Sequence, residues 1–521
     1  MQGISLLAAQ GRFDDARAQA MALGDTAVLA GSFLQLLDIG SVLMAAGFAS
    51  DAGRYFDAAR QLRPDDVRPL ANLANVARDL GDATGCTALY SAALALQPDH
   101  IVMRRNLLVS QEYDDMVPVA TKRAAAEAWG RWLAGHVPPP PRPAPATPLL
   151  DGAGQPLRPL RVGYVSADLC QHTVGLLAKD VLASHDPARV LAFAYHAGPQ
   201  RDWVTEQLAR SCSLRMVGAL DDAALARQVQ ADGIDVLVDL SGHTAGSRLT
   251  MFARRPAPVQ VSWLGYFATT GLAVMDAVLL DAAHAPPGAE TQFTETVVRM
   301  PQGRWCYVPV PFMPPVPAGL PAQRNGHVTF GCFNNSAKLN GRVFDLWARL
   351  LLAVPTARLV LKWRTFLDPA YGARVREAFA AHGVDPARLD LRGPSFHVDA
   401  LKEYGDIDIA LDPFPFTGGL TSCEALWMGV PVVTWPQERV VSRQTLALLQ
   451  TVGLPELAAS DANDYLRIAS TLAADLPRLD ALHAGLRGRV AASPLCDAAG
   501  FTRGLEDVLW QLAVTRPHLN Y

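Results

Sequence analysis

Lysine is scarce in this sequence. Of its 46 basic residues only Lys122, Lys179, Lys338, Lys362 and Lys402 are lysine, the rest being arginine. Codon bias accounts for such a skew, yet a retained lysine also marks a place where a compact ammonium serves and a planar guanidinium does not. Cysteine is sparse as well: Cys86, Cys170, Cys212, Cys306, Cys332, Cys423 and Cys496 are scattered, odd in number and without a CxxC pair. Neither a disulfide framework nor a zinc cluster is indicated, and buried thiols are the better reading. No apolar run approaches the ~18–20 residues that span a bilayer. The apolar start at residues 4–9 is soon broken by Gln10, Arg12 and Asp14, so no membrane association and a cytoplasmic location are expected. With a net charge of −4 the chain offers no general attraction for nucleic acid.

What is present is ordinary for folded protein: half the residues are hydrophobic and 18% are charged, over 521 residues. A length prior of ~100–200 residues per domain suggests about three domains. Residues 1–136 are rich in alanine and leucine at helical spacing and contain a repeat. Gly47 returns as Gly81, Phe56 as Tyr90, Ala59 as Ala93, Leu62 as Leu96, and Pro64-Asp65 as Pro98-Asp99, each at an offset of 34. That period resembles the tetratricopeptide repeat, with an earlier, weaker copy from Gly11-Arg12-Phe13. Stacked helix pairs of this kind leave a concave surface suited to extended peptides, so a protein or peptide acceptor bound along the repeats is expected; the alternative is that so few repeats merely brace the next domain.

A proline-dense stretch, VPPPPRPAPATP at 137–148, ends the helical region and sets a linker over 137–158. Beyond it β-branched runs alternate with helical stretches: 160–166, 190–195, 236–240, 259–263, 328–333, 358–362, 407–411 and 430–434. Alternating strands and helices predict parallel sheets covered on both faces. A second proline-rich stretch near 308–321 divides them into two α/β halves, 159–322 and 323–521, with a cleft expected between them.

Ligands of open parallel sheets sit beyond the carboxyl ends of the strands. In the second half, Phe333-Asn334-Asn335-Ser336-Ala337-Lys338 follows the first strand and Lys362 ends the second. Asp412 to Glu424, reading DPFPFTGGLTSCE, follows the third. There Gly418-Gly419, Leu420 and an N-cap-capable Thr421 or Ser422 precede a helix expected over 423–428, whose amides would form an anion site fit for a diphosphate. Glu424 could accept from ribose hydroxyls, although an acid in a first helical turn is favourable without any ligand. Lys338 could neutralise a leaving diphosphate, or be a surface lysine. In the first half His172 and His243 follow strands and could serve an acceptor as donors or bases, or be structural hydrogen-bonders. Asp406-Ile407-Asp408 fits a DxD metal pattern, but alternate acids leading into a strand commonly look this way; no metal or cofactor is expected.

At these residues the sequence resembles the O-linked N-acetylglucosamine transferase and SPINDLY family, glycosyltransferases with tetratricopeptide repeats before a two-lobed GT-B region. The resemblance runs through Arg161-Val162-Gly163-Tyr164-Val165-Ser166, Arg255-Pro256-Ala257-Pro258-Val259-Gln260, Trp263-Leu264-Gly265-Tyr266, Phe333-Asn334-Asn335 and Met428-Gly429-Val430-Pro431. It implies an inverting, metal-independent transfer of a sugar from a nucleotide to Ser or Thr hydroxyls of proteins. By resemblance, His172 lies near sugar and acceptor, Lys338 contacts phosphate, Asn335 lies in the donor-facing turn, and Glu424 meets the ribose. The family's phosphate-binding His-Thr-Thr run falls on Gly419-Leu420-Thr421, where only Thr421 agrees. Ala400 stands where a histidine near the base is usual, and Phe267-Ala268 replaces a proline-containing turn. Gly242-His243-Thr244, Lys362 and Cys423-Glu424 look like SPINDLY, whose members include GDP-fucose users, whereas Ser442-Arg443 looks like enzymes using UDP-N-acetylglucosamine. A nucleotide-sugar epimerase and a non-catalytic repeat scaffold are the alternatives from other classes.

Overall fold

A computed structural model describes residues 1–515 of the chain. Eight helices open it: α1 (Gln2–Ala9), α2 (Phe13–Leu29), α3 (Phe33–Ala46), α4 (Ala49–Leu62), α5 (Val67–Asp79), α6 (Ala83–Leu96), α7 (Ile101–Gln111) and α8 (Val119–His136). Consecutive helices from α1 to α7 pack on one another through small residues and aromatics, Ala16, Ala20, Ala52, Tyr55 and Phe56 among them. The 34-residue period is visible in the bonding. Tyr55 Oη donates to the Met21 carbonyl at 3.0 Å and Arg17 pairs with Asp51 at 2.6 Å, both across that offset. The expected earlier copy is therefore a helix pair, α2 and α3.

The described chain forms two compact units. One joins residues 1–116 to 312–437 and 456–487; the other joins 117–311 to 438–455 and 488 onward. In the second unit β1 (Leu160–Ser166), β2 (Val190–His196), β3 (Ser213–Met216), β4 (Val236–Asp239), β5 (Val259–Ser262), β6 (Ala277–Leu280) and β7 (Thr296–Arg299) form a parallel sheet. Its order is β3-β2-β1-β4-β5-β6-β7. In the first unit β8 (Thr329–Cys332), β9 (Arg358–Lys362), β10 (Leu389–Arg392), β11 (Ile409–Leu411) and β12 (Val432–Val433) are ordered β10-β9-β8-β11-β12, again parallel. Both orders are Rossmann-like, reversing direction beside the first strand of each sheet.

Two expected boundaries move. Helix α8 belongs with the seven-stranded sheet rather than with the repeats, because Trp129 packs edge-on to His243 at 4.6 Å and Gly130 leaves room for the Gly271 carbonyl. The C-terminal half is likewise not one block. Its last helix, Ala498–Thr515, returns to the seven-stranded unit, where Thr502 Oγ1 donates to the Val181 carbonyl and Trp510 Nε1 to that of Arg189. Residues 438–455 join the same unit.

In the first unit the repeats seat themselves on the turns that follow β8 and β9. Gly47 and Gly81, equivalent in the repeat, both adopt left-handed φ, of 99° and 78°. A Cβ at Gly47 would lie 2.7 Å from the Arg364 carbonyl oxygen, and one at Gly81 would overlap that of Leu339. Ser336 Oγ donates to the Asp79 carbonyl at 2.6 Å, and Asp79 pairs with Arg364 at 3.1 Å. Gly11, also left-handed, has nothing near its missing Cβ. Gly11→Ala should therefore cost only the backbone strain of ~1–2 kcal/mol, whereas Gly81→Ala must also displace a turn. Thermal melting should show a clearly larger drop for Gly81→Ala; equal drops would contradict this seating.

Candidate active site

The switch point of the five-stranded sheet lies between β8 and β11, and the segments leaving both strands meet there. After β8, Asn335 Oδ1 accepts the Ala337 amide at 3.0 Å and the Asn335 carbonyl accepts that of Lys338 at 2.9 Å, closing the turn Ser336–Lys338. Lys338 Nζ donates to Asn334 Oδ1 at 3.0 Å and to the Thr417 carbonyl at 2.8 Å, and lies 4.5 Å from the Phe416 ring centroid. Burial lowers its pKa to about 8, against the opposing attraction of the Asp412 carboxylate. Asn335 thus shapes the turn, and its neighbour Asn334 is the side chain that reaches the ammonium.

After β11, buried Asp412 anchors the loop: its Oδ1 accepts the Gly418 amide at 2.6 Å and its Oδ2 the Thr434 hydroxyl at 2.7 Å. A Cβ on Gly418 would overlap the Ser422 hydroxyl, so only glycine fits this close turn. The following helix runs Leu420–Trp427 with Gly419 as N-cap and no side-chain cap, three residues earlier than expected and without Thr421 or Ser422 in the capping place. Two of the amides expected to bind an anion are already used, Gly418 by Asp412 and Ser422 by the Gly419 carbonyl. Those of Gly419, Leu420 and Thr421 make no hydrogen bond among the described residues and lie at the positive end of the helix. Thr421 Oγ1 donates to Asn334 Oδ1 at 3.1 Å, the oxygen that also holds Lys338. One asparagine therefore ties the helix end to the lysine. A narrow cavity bounded by Asn334, Tyr404, Asp412, Thr421 and Ser422 opens at this point.

Glu424 sits in the second turn of that helix, not the first, so a favourable first-turn charge does not explain it. Its Oε1 accepts from His397 Nε2 at 2.7 Å. His397, whose ring meets Phe312 edge-on at 5.5 Å, carries no signal in the sequence pattern and stands three residues before Ala400. Phe396 beside it is 83% exposed. Lys362 does not join these groups, a correction to its expected place in the site. Its Nζ is buried in an ion pair with Glu403 at 2.8 Å and donates to Ser395 Oγ and the Gly393 carbonyl, so it holds the loop before His397. Asp406 is paired with Arg392 at 2.7 Å, and Asp408 accepts the amides of Ala322 and Thr329.

The seven-stranded unit carries both expected histidines in different settings. His172 caps α9 (Thr173–Ala183); its Nδ1 accepts the Val174 amide at 3.4 Å, and half of the side chain is exposed. With Nδ1 accepting, a neutral ring carries its hydrogen on Nε2. Asp168 Oδ2 lies 3.8 Å from Nδ1, and burial raises the Asp168 pKa. His243 is wholly buried between Trp129 and Tyr266, with Nε2 on the Thr270 carbonyl at 2.9 Å. The expectation that it serves an acceptor is corrected: without an exposed edge it fixes the loop that carries Tyr266. That loop holds Leu264 at a left-handed φ of 71°, with Arg304 donating to the Leu264 carbonyl at 2.9 Å.

Two parallel sheets of Rossmann order, one with a buried ammonium beside a helix N-terminus at its switch point, are the two halves of a GT-B fold. The model for "Glycosyl transferase family 41" matches residues 152–306 and 318–505, and the chain belongs to that family. The probable UDP-N-acetylglucosamine–peptide N-acetylglucosaminyltransferase SPINDLY of Oryza sativa subsp. japonica is 37% identical over 425 residues, 80% of this chain and 45% of that protein. The SPINDLY protein of Solanum lycopersicum is 38% identical over 69% of this chain and 39% of its own length. The chain thus spans less than half of these curated relatives. A solved structure of a lysine-to-methionine mutant of Thermobaculum terrenum O-GlcNAc transferase superimposes with a TM-score of 0.87 at 35% identity, covering 99% of this chain and 98% of that one.

The low pKa of Lys338 has a kinetic consequence. The ammonium is present below about pH 8 and lost above it. Donor kcat/KM, which reports the free enzyme, should fall with a basic limb near pH 8, while the limb in kcat should lie higher because a bound diphosphate favours the charged form. A kcat/KM profile flat to pH 9.5 would exclude Lys338 from the chemistry.

Proposed function

We propose that this chain is an inverting protein O-glycosyltransferase that moves N-acetylglucosamine from UDP-N-acetylglucosamine to Ser or Thr hydroxyls. The observation that carries this is the Lys338 ammonium, tied through Asn334 to a helix end whose first amides make no hydrogen bond among the described residues. That pairing meets the charge that accumulates on a departing diphosphate. The acceptor oxygen forms a bond to the anomeric carbon as the bond from that carbon to the diphosphate oxygen breaks. Lys338 and the amides of Gly419, Leu420 and Thr421 receive the negative charge, and the hydroxyl proton leaves to a phosphate oxygen. His172 orients the acceptor through Nε2, and Glu424, held by His397, takes the ribose diol. No metal is required, because a lysine and a helix end do the work of a cation. The protein acceptor lies along the helical repeats, and cysteines that form no disulfide among the described residues fit a reducing compartment such as the cytoplasm.

The choice of donor is supported by the N-acetylglucosamine transferase structure that matches nearly the whole chain. GDP-fucose is the second reading, favoured by greater identity to SPINDLY than to the SEC protein of Arabidopsis thaliana, at 29%, and by the loss of the His-Thr pair at Gly419-Leu420. Incubation with each donor and candidate acceptor proteins, read by intact mass, should add one N-acetylhexosamine per site and be insensitive to excess chelator. Addition of deoxyhexose would select the second reading, and no addition with any donor would reject transfer. Lys338→Ala should lower turnover about 10²–10³-fold with the fold intact. His172→Ala should give a smaller defect that varies with the acceptor; uniform wild-type rates would remove it.

A further inference from the structure

The helical repeats reach the candidate site through one ring. Just after α7 the chain turns, and Tyr113 in that turn stacks on Phe416, with centroids 4.7 Å apart and planes 28° from parallel. The same Phe416 ring carries the Lys338 ammonium, and the carbonyl of the next residue, Thr417, accepts from it. Two of the three groups that hold Nζ therefore belong to one short loop, and the aromatic of that loop is covered by a residue of the repeat segment. The loop is gripped again nearby. Asn340 Nδ2 donates to the Phe414 carbonyl at 2.8 Å, and Arg342 lies over the Phe414 ring while pairing with Asp115, two residues beyond Tyr113.

We propose that Tyr113 is a positioning residue for Lys338: its ring fixes and dries Phe416, and Phe416 in turn fixes the ammonium. A cation over an aromatic face gains ~0.5–1 kcal/mol in water and ~2 kcal/mol or more when desolvated, so a cover that keeps water from the ring strengthens the contact. The repeats then supply a component of the nucleotide half-site, separate from any peptide they bind. This inference rests on Lys338 meeting the diphosphate.

The charged and titratable groups facing the two side chains are Asp412 and Cys332 at Lys338, and Arg78, Asp79, Cys86 and Glu112 at Tyr113. None of them is altered by replacing Tyr113. With five lysines in the chain, 13Cε-labelled lysine gives few enough signals for Lys338 to be assigned by its loss in Lys338→Arg. The wild-type signal should titrate near pH 8. Tyr113→Leu should move that midpoint upward, because admitted water removes the larger influence, burial, and should lower kcat about tenfold with little change in donor KM. Tyr113→Phe, which keeps the ring, should match wild type in both. Should Tyr113→Leu fail to melt cooperatively, Tyr113→Met, which also removes the stacked ring but fills more of its volume, makes the same test and should show the same upward shift.

A Leu variant with wild-type titration and kcat overturns the proposal, as does a Phe variant as impaired as the Leu variant. A Leu variant with a shifted midpoint but wild-type transfer rate sustains the positioning and instead contradicts the role given to Lys338 in transfer.

Discussion

A cation has to remain charged where little water reaches it, and the structure around Lys338 is arranged to meet that demand. Burial alone works against an ammonium. Here it is offset by an asparagine oxygen, a backbone carbonyl, an aromatic face and the nearby Asp412 carboxylate. The balance leaves the group on the edge of titration.

The fold supplies each of those groups from a different source. The turn after β8 brings Asn334 and Lys338, the loop after β11 brings Asp412 and Phe416, and the helix Leu420–Trp427 brings its bare end. Asp412 is central although it need not touch a ligand: it locks Gly418, draws the loop down through Thr434, and sets the field at Lys338. Repeat glycines seated against the turns after β8 and β9 make the helical segment part of the same construction.

Much of this was legible in the amino-acid order, and the exceptions have physical causes. Eight strands stood out as β-branched runs. Three others, β3, β7 and β10, are edge strands with exposed polar residues such as Ser213 and Asp390, and β6 is a short Ala-Val-Leu-Leu run that periodicity does not separate from helix. Lys338, Glu424 and the Gly418-Gly419 bend came from reading strand ends. Which of two adjacent asparagines faces the lysine depends on one turn, and no pattern encodes it. Lys362 occupies a strand end yet is neutralised by Glu403, a partner far away in sequence. His397 meets Glu424 across 27 residues, a contact that only three dimensions reveal.

Proton linkage decides whether Lys338 receives a diphosphate. Calorimetric titration of UDP and GDP at pH 8.5, in buffers of different ionisation enthalpy, measures protons taken up on binding. The wild-type chain should take up a fraction of a proton, because phosphate restores the charge on a partly neutral Lys338, and Lys338→Met should take up none. Binding of either nucleotide with no proton uptake in the wild type, or with equal uptake in both proteins, would contradict that role of Lys338.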